Sequence, residues 1–223
     1  MLERLIRELV KIFQANPKNI FHEKQLHSIF YYICHGQFGS VLTQDNYGPV
    51  ELFRQEYNSI YRYSRHDAPP FSKRYVDGTP TISGRIPHSA EFDFVILNKK
   101  FVASHELLTV INKDEVRRRH LRTEKQTQAI DIGIEFKMAH IRSSLNVNPG
   151  EINILIRGML EDARKLALER IPEAFLVGLS HGPLPDEEEA QNIVTICQEE
   201  YGHYNDIDNL RVAIATPDFL LFP

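Results

Sequence analysis

The chain has 223 residues, of which 42% are hydrophobic and 25% charged, with a formal net charge of −4 and a pI near 6.2. These values suit a single globular domain with a substantial core. They argue against a protein that grips nucleic acid by bulk positive charge, and leave room for a local basic cleft or for carboxylates neutralised by metal.

Cys34 and Cys197 are the two cysteines. Each sits in an apolar helical context, so two buried thiols are expected rather than a disulfide, and a reducing cytoplasm is favoured. No apolar run has the length of a membrane span. The amphipathic N-terminus carries Glu3 and Glu8, unlike a signal peptide.

Leu2, Leu5, Ile6, Leu9, Val10, Ile12 and Phe13 recur at helical spacing, predicting a helix over 2–14 that ends at Asn16-Pro17. A second helix is expected from His22 to His35, with Leu26, Ile29, Phe30 and Ile33 inward. Glu23 falls in its first turn, where the helix dipole favours a carboxylate. A strand is predicted around Phe53–Tyr57, with extended chain after it. Residues 66–88 carry Pro69, Pro70, Gly78, Pro80, Gly84 and Pro87 and read as a long loop. Glu91–Leu97 alternates, placing Glu91 and Asp93 on one face and Phe92, Phe94 and Ile96 on the other. An excursion over 98–128 follows, its middle a polar helix rich in arginine.

Ala129–Met138 is the clearest strand. Ile130, Ile132, Ile134, Phe136 and Met138 take one face; Asp131, Gly133, Glu135 and Lys137 take the other. That pattern predicts a half-buried strand with a charged front. Asn148-Pro149-Gly150-Glu151 is a helix start, and Ile152 to Leu166 continue it to about Glu169. Asp162 and Lys165, three apart on that helix, read as a facing structural pair, with Lys165 reaching a phosphate as the alternative. Glu173–Ser180 is an apolar strand of the kind covered on both faces. Asp186 and Glu189 resemble a capping box opening a helix to about Tyr201, and Leu210–Thr216 is the last strand. The order of elements predicts a three-layer α/β/α sandwich around a mixed sheet.

A helix with Glu23, a strand with Asp93 and a strand with Glu135-Phe136-Lys137, followed by a helix and a strand, resembles the PD-(D/E)XK nuclease superfamily, the restriction-endonuclease-like phosphodiesterases. The likeness spans most of residues 20–180 as a pattern. It implies that Asp93 and Glu135 bind Mg²⁺, for which Mn²⁺ substitutes, that Lys137 positions the attacking water, and that Glu23 assists. It also implies a nucleic-acid substrate, with DNA expected, and a two-fold dimer where both strands are cut. Phe92 stands where the family name has proline. The gap from Asp93 to Glu135 is 135 − 93 = 42 residues, lengthened by the 98–128 excursion. The plain alternative is a solvated strand face, with Lys137 pairing Asp131 or Glu135.

Arg117, Arg118, Arg119, Arg122 and Lys125 in the excursion are candidates for tracking a phosphate backbone, as are Arg62, Lys73 and Arg74. Tyr57, Tyr61, Arg62, Tyr63 and Arg65 interleave aromatic and basic residues, a pattern suited to base stacking. Two other functions compete. One is a non-catalytic nucleic-acid-binding or assembly module of the same fold. The other is a serine hydrolase using Ser180 in Gly178-Leu179-Ser180-His181-Gly182, where Pro183 and Pro185 follow in place of the required helix.

Overall fold

The computed structural model describes residues 1–17, 20, 22–64, 74–76, 88–111, 129–139, 149–168, 171–181, 187–206 and 208–222; for 58–64, 74–76, 88–90, 149–152 and 168 it describes the backbone alone. The fold is α/β, with helices and a mixed sheet. The chain forms two compact units. The first comprises Met1–His35, Ile134–Ala167 and Ala174–Pro223, and the second Gly36–Gly133 and Leu168–Glu173.

The first unit opens with α1 (Leu2–Ala15), which buries Leu2, Leu5, Ile6, Leu9, Val10 and Phe13. The 3.6-residue periodicity of these apolar side chains sets that face. In α2 (Glu23–Cys34) the inward face differs from the expected one. Leu26, His27, Phe30 and Cys34 are buried, while Ile29 and Ile33 are half-buried.

The second unit contains a short antiparallel hairpin, β1 (Ser40–Leu42) and β2 (Pro49–Glu51), registered Ser40 to Glu51. Asn46 and Gly48 have positive φ in its turn, 53° and 130°. Strand β3 (Phe53–Ser64) runs longer than the predicted Phe53–Tyr57. It pairs antiparallel with β4 (Arg74–Val76) on one side and β5 (His88–Leu97) on the other. The expected loop over 66–88 therefore holds a strand at Arg74–Val76, because β3 offers it a backbone edge to pair with. Tyr57 is buried, and its hydroxyl donates to the Val110 carbonyl at 2.8 Å, so it is a packing residue rather than a stacking platform. Phe53 stacks on Phe94 with ring centroids 5.2 Å apart.

The excursion begins as two short helices, α3 (Lys99–Ser104) and α4 (Leu107–Val110). The Asn98 side chain caps α3 by accepting from the Lys100 and Phe101 amides, and its Nδ2 donates to Asp131 at 2.7 Å. The helix expected to carry Arg117, Arg118, Arg119, Arg122 and Lys125 lies outside the described residues, as do Lys73, Arg65 and Asn148.

Strand β6 (Ile130–Ala139) runs through both units, its first four residues in the second and the rest in the first. In the second unit the strand order is β4-β3-β5-β6. In the first it continues β6-β7-β8-β9, with β7 (Glu173–Ser180), β8 (Leu210–Ala215) and β9 (Leu220–Leu221). β7 and β8 are parallel, Ala174 opposite Leu210, and β9 turns back antiparallel. Every residue of β7 from Ala174 to Ser180 is buried, as its apolar sequence predicts. Helix α5 (Pro149–Leu168) packs on β7 through Met159. A Cβ at Gly178 would lie 2.6 Å from the Met159 sulfur, so glycine is needed for this close approach. Helix α6 (Glu187–Gly202) precedes β8. The Tyr201 hydroxyl at its end donates to Asn209 Oδ1 and accepts from Asn205 Nδ2 at 2.7 Å.

Cys34 and Cys197 are buried free thiols. Burial pushes both up to about 12 from an ordinary 9.0, with Glu8 adding to Cys34, and Asp162 and Glu200 to Cys197. Thiolate is the reactive form, so Ellman's reagent at pH 8 is expected to leave both cysteines unmodified in the native protein and to titrate both after unfolding. Rapid labelling of the native protein would contradict their burial. The unfolded chain loses these protons first, so stability falls as pH rises from about 9 towards 12.

Candidate active site

Strand β6 does not present the half-solvated charged front that its alternation predicts. Glu135 is 0% exposed, while Ile132 and Met138 on the opposite face are half-buried. The reason is α5, which covers the charged face and supplies opposite charges to it. Lys165 Nζ lies 2.6 Å from Glu135 Oε1, and Asp162 Oδ2 lies 2.9 Å from Lys137 Nζ. Within α5, Asp162 Oδ1 is 3.3 Å from Lys165 Nζ, so the predicted facing pair is present. Lys137 Nζ also lies 3.8 Å from Glu23 Oε1 on α2.

The result is one chain of alternating charge, Glu135–Lys165–Asp162–Lys137–Glu23, all within the first unit. Side-chain exposure rises along it: Glu135, Lys165 and Asp162 are buried, Lys137 is 23% exposed and Glu23 35%. Three carboxylates alternate with two ammonium groups along it. The burial of Glu135 corrects the alternative of a solvated strand face. Lys137 reaches α5 and α2, while Asp131 accepts from Asn98.

Glu23 has a neighbour absent from the sequence reading. His27 stands one turn later on α2, and the ligand atoms of the two lie within 4.8 Å of each other. The i,i+4 spacing on one helix face was the available signal. A carboxylate oxygen beside an imidazole nitrogen, next to the Lys137–Asp162 pair, is part of a donor set that could hold a metal ion. His27 also packs on Phe136, centroids 5.9 Å apart. Asp93 is half-buried on β5 in the second unit, flanked by the buried Phe92 and Phe94.

Ser180 is 3% exposed at the end of β7, and the helix after it opens at Glu187, seven residues on (187 − 180 = 7). A nucleophile elbow needs an exposed serine with a helix directly behind it. The adjacent His181 ring is engaged with the carbonyls of Ala139 and Ile20, tying the end of β6 to the segment before α2. Arg62 and Arg74 lie on β3 and β4, described by backbone alone.

Among the described residues no helix is long and apolar enough to cross a membrane. No protein-family model, curated protein or solved structure matches the chain.

Proposed function

We propose that the protein is a metal-dependent phosphodiesterase of the restriction-endonuclease-like kind that hydrolyses nucleic acid, with DNA as its substrate. The observation that carries this reading is the buried charge chain on the Glu135-Phe136-Lys137 strand. Withdrawing ions from water costs several kcal/mol each, and well-packed apolar side chains commonly serve stability as well or better. A charged cluster kept in such a place points to chemistry, and paired carboxylates with a lysine suit phosphodiester hydrolysis.

In this reading Asp93 and Glu135 hold the Mg²⁺ or Mn²⁺ ion, and Glu23 assists from α2. The bound ion supplies a nucleophilic water at neutral pH and Lewis-acid polarisation of the phosphoryl oxygen. Lys137, the more exposed of the two lysines, donates hydrogen bonds where negative charge develops. Asp162 holds that ammonium in place. Buried Lys165 balances the charge of Glu135.

Asp93→Ala and Glu135→Ala are each expected to abolish metal-dependent cleavage and weaken Mn²⁺ binding with the native circular dichroism spectrum retained, and Glu135→Ala also to melt at a lower temperature because it breaks the buried pair with Lys165. Full activity in both variants sinks the assignment. A second reading, a non-catalytic nucleic-acid-binding module of this fold, draws support from the Lys165–Glu135 pair at 2.6 Å, which already satisfies a proposed metal ligand with a cation. Nucleic-acid binding without metal uptake would favour it.

A further inference from the structure

Helix α5 carries Gly158, Asp162 and Lys165, at i, i+4 and i+7 on one face. Two of them match the strand residues opposite by charge: Lys165 to Glu135, Asp162 to Lys137. The third matches by shape. A Cβ at Gly158 would lie 2.9 Å from Lys137 Cδ, 3.3 Å from Cε and 3.5 Å from Cγ. Glycine is unfavourable in a helix interior, where alanine is the best residue. Here its missing side chain is the space that the Lys137 stem occupies.

We propose that Gly158 and Asp162 are positioning residues for Lys137, one bounding the path of its stem and the other fixing its ammonium. The proposal rests on the nuclease reading of the same site. Gly158 lies against the Lys137 stem and Asp162 against the Lys137 and Lys165 ammonium groups, so the positioning role of neither needs contact with substrate. Their effect is on where the Lys137 Nζ stands. A displacement of about 1 Å in a reacting group can cost on the order of 100-fold in rate.

The stem of a lysine is flexible, so Gly158→Ala moves it rather than breaking the fold. The variant is expected to melt at or above the wild-type temperature, because alanine strengthens the helix. Its kcat on DNA with Mn²⁺ is expected to fall about 10–100-fold, with KM nearly unchanged. In ¹H–¹⁵N spectra of lysine ammonium groups, the Lys137 signal shifts and the Lys165 signal stays. Asp162→Asn also lowers kcat with KM nearly unchanged but shifts both lysine signals, because Asp162 pairs with Lys137 and Lys165 alike, and Asp162→Glu restores part of the rate.

A Gly158→Ala protein with wild-type kcat and an unmoved Lys137 signal overturns the positioning role while leaving the nuclease reading intact. A wild-type protein that cleaves no nucleic acid defeats the nuclease reading, and the claim about turnover with it. Equal loss of rate and melting temperature in Gly158→Ala, with both lysine signals displaced, also overturns the proposal, because that is the signature of general damage to packing.

Discussion

Lys165→Met is expected to lower the unfolding free energy by about 3–5 kcal/mol. Methionine keeps most of the stem volume but removes the ammonium 2.6 Å from Glu135, which stays 0% exposed. A buried carboxylate without its ion-pair partner is among the few single changes that reach this size. For a chain of this length the melting temperature should fall by roughly 6–20 °C. Replacing both partners, Glu135→Leu with Lys165→Met, is expected to recover much of the loss, because an apolar pair has no desolvation penalty. Thermal denaturation of the two single variants and the double variant checks this. A change within about 0.5 kcal/mol for Lys165→Met is typical of exposed positions and would contradict the burial of the pair.

Lys137→Ala is expected to behave in the opposite way: a small effect on stability and a large one on rate. Its ammonium is partly solvated, so screening reduces what its ion pairs contribute to folding. If it stabilises developing charge, its loss should lower kcat about 100–1,000-fold. Lys137→Arg is not expected to rescue, because a planar guanidinium differs in shape and reach from an ammonium. The stem also runs within 2.9 Å of where a Gly158 side chain would begin, leaving little room for a bulkier head. Single-turnover cleavage compared across the three proteins checks this. Wild-type rates for Lys137→Ala would remove it from the chemistry.

Much of the fold was legible because most elements have a strong period. α1 and α5 repeat at 3.6 residues, β5 and β6 at two, and β7 is continuously apolar. The three-residue strands β1 and β4 are too short for alternation to be read, and their existence depends on pairing with β2 and β3. Glu135 and Lys137 were legible as an interesting pair, but their environment was not. A charge in an alternating strand reads as solvent-facing, and only a countercharge from a distant element allows it to be buried. That countercharge sits at Asp162 and Lys165, whose i,i+3 spacing reads as a purely local pair. Their longer reach to β6 is a tertiary fact. His27 was hidden for the converse reason, since a histidine on an apolar helix face looks like core.

The central claim is metal-dependent hydrolysis of nucleic acid. Its most direct test is to incubate the purified protein with supercoiled, linear and single-stranded DNA and with a structured RNA, in Mg²⁺ or Mn²⁺, beside EDTA and Glu135→Ala controls. The predicted result is cleavage of DNA that requires the metal and disappears in both controls. Absence of cleavage on all four substrates, together with no Mn²⁺ uptake by the wild-type protein in a direct titration, would contradict it.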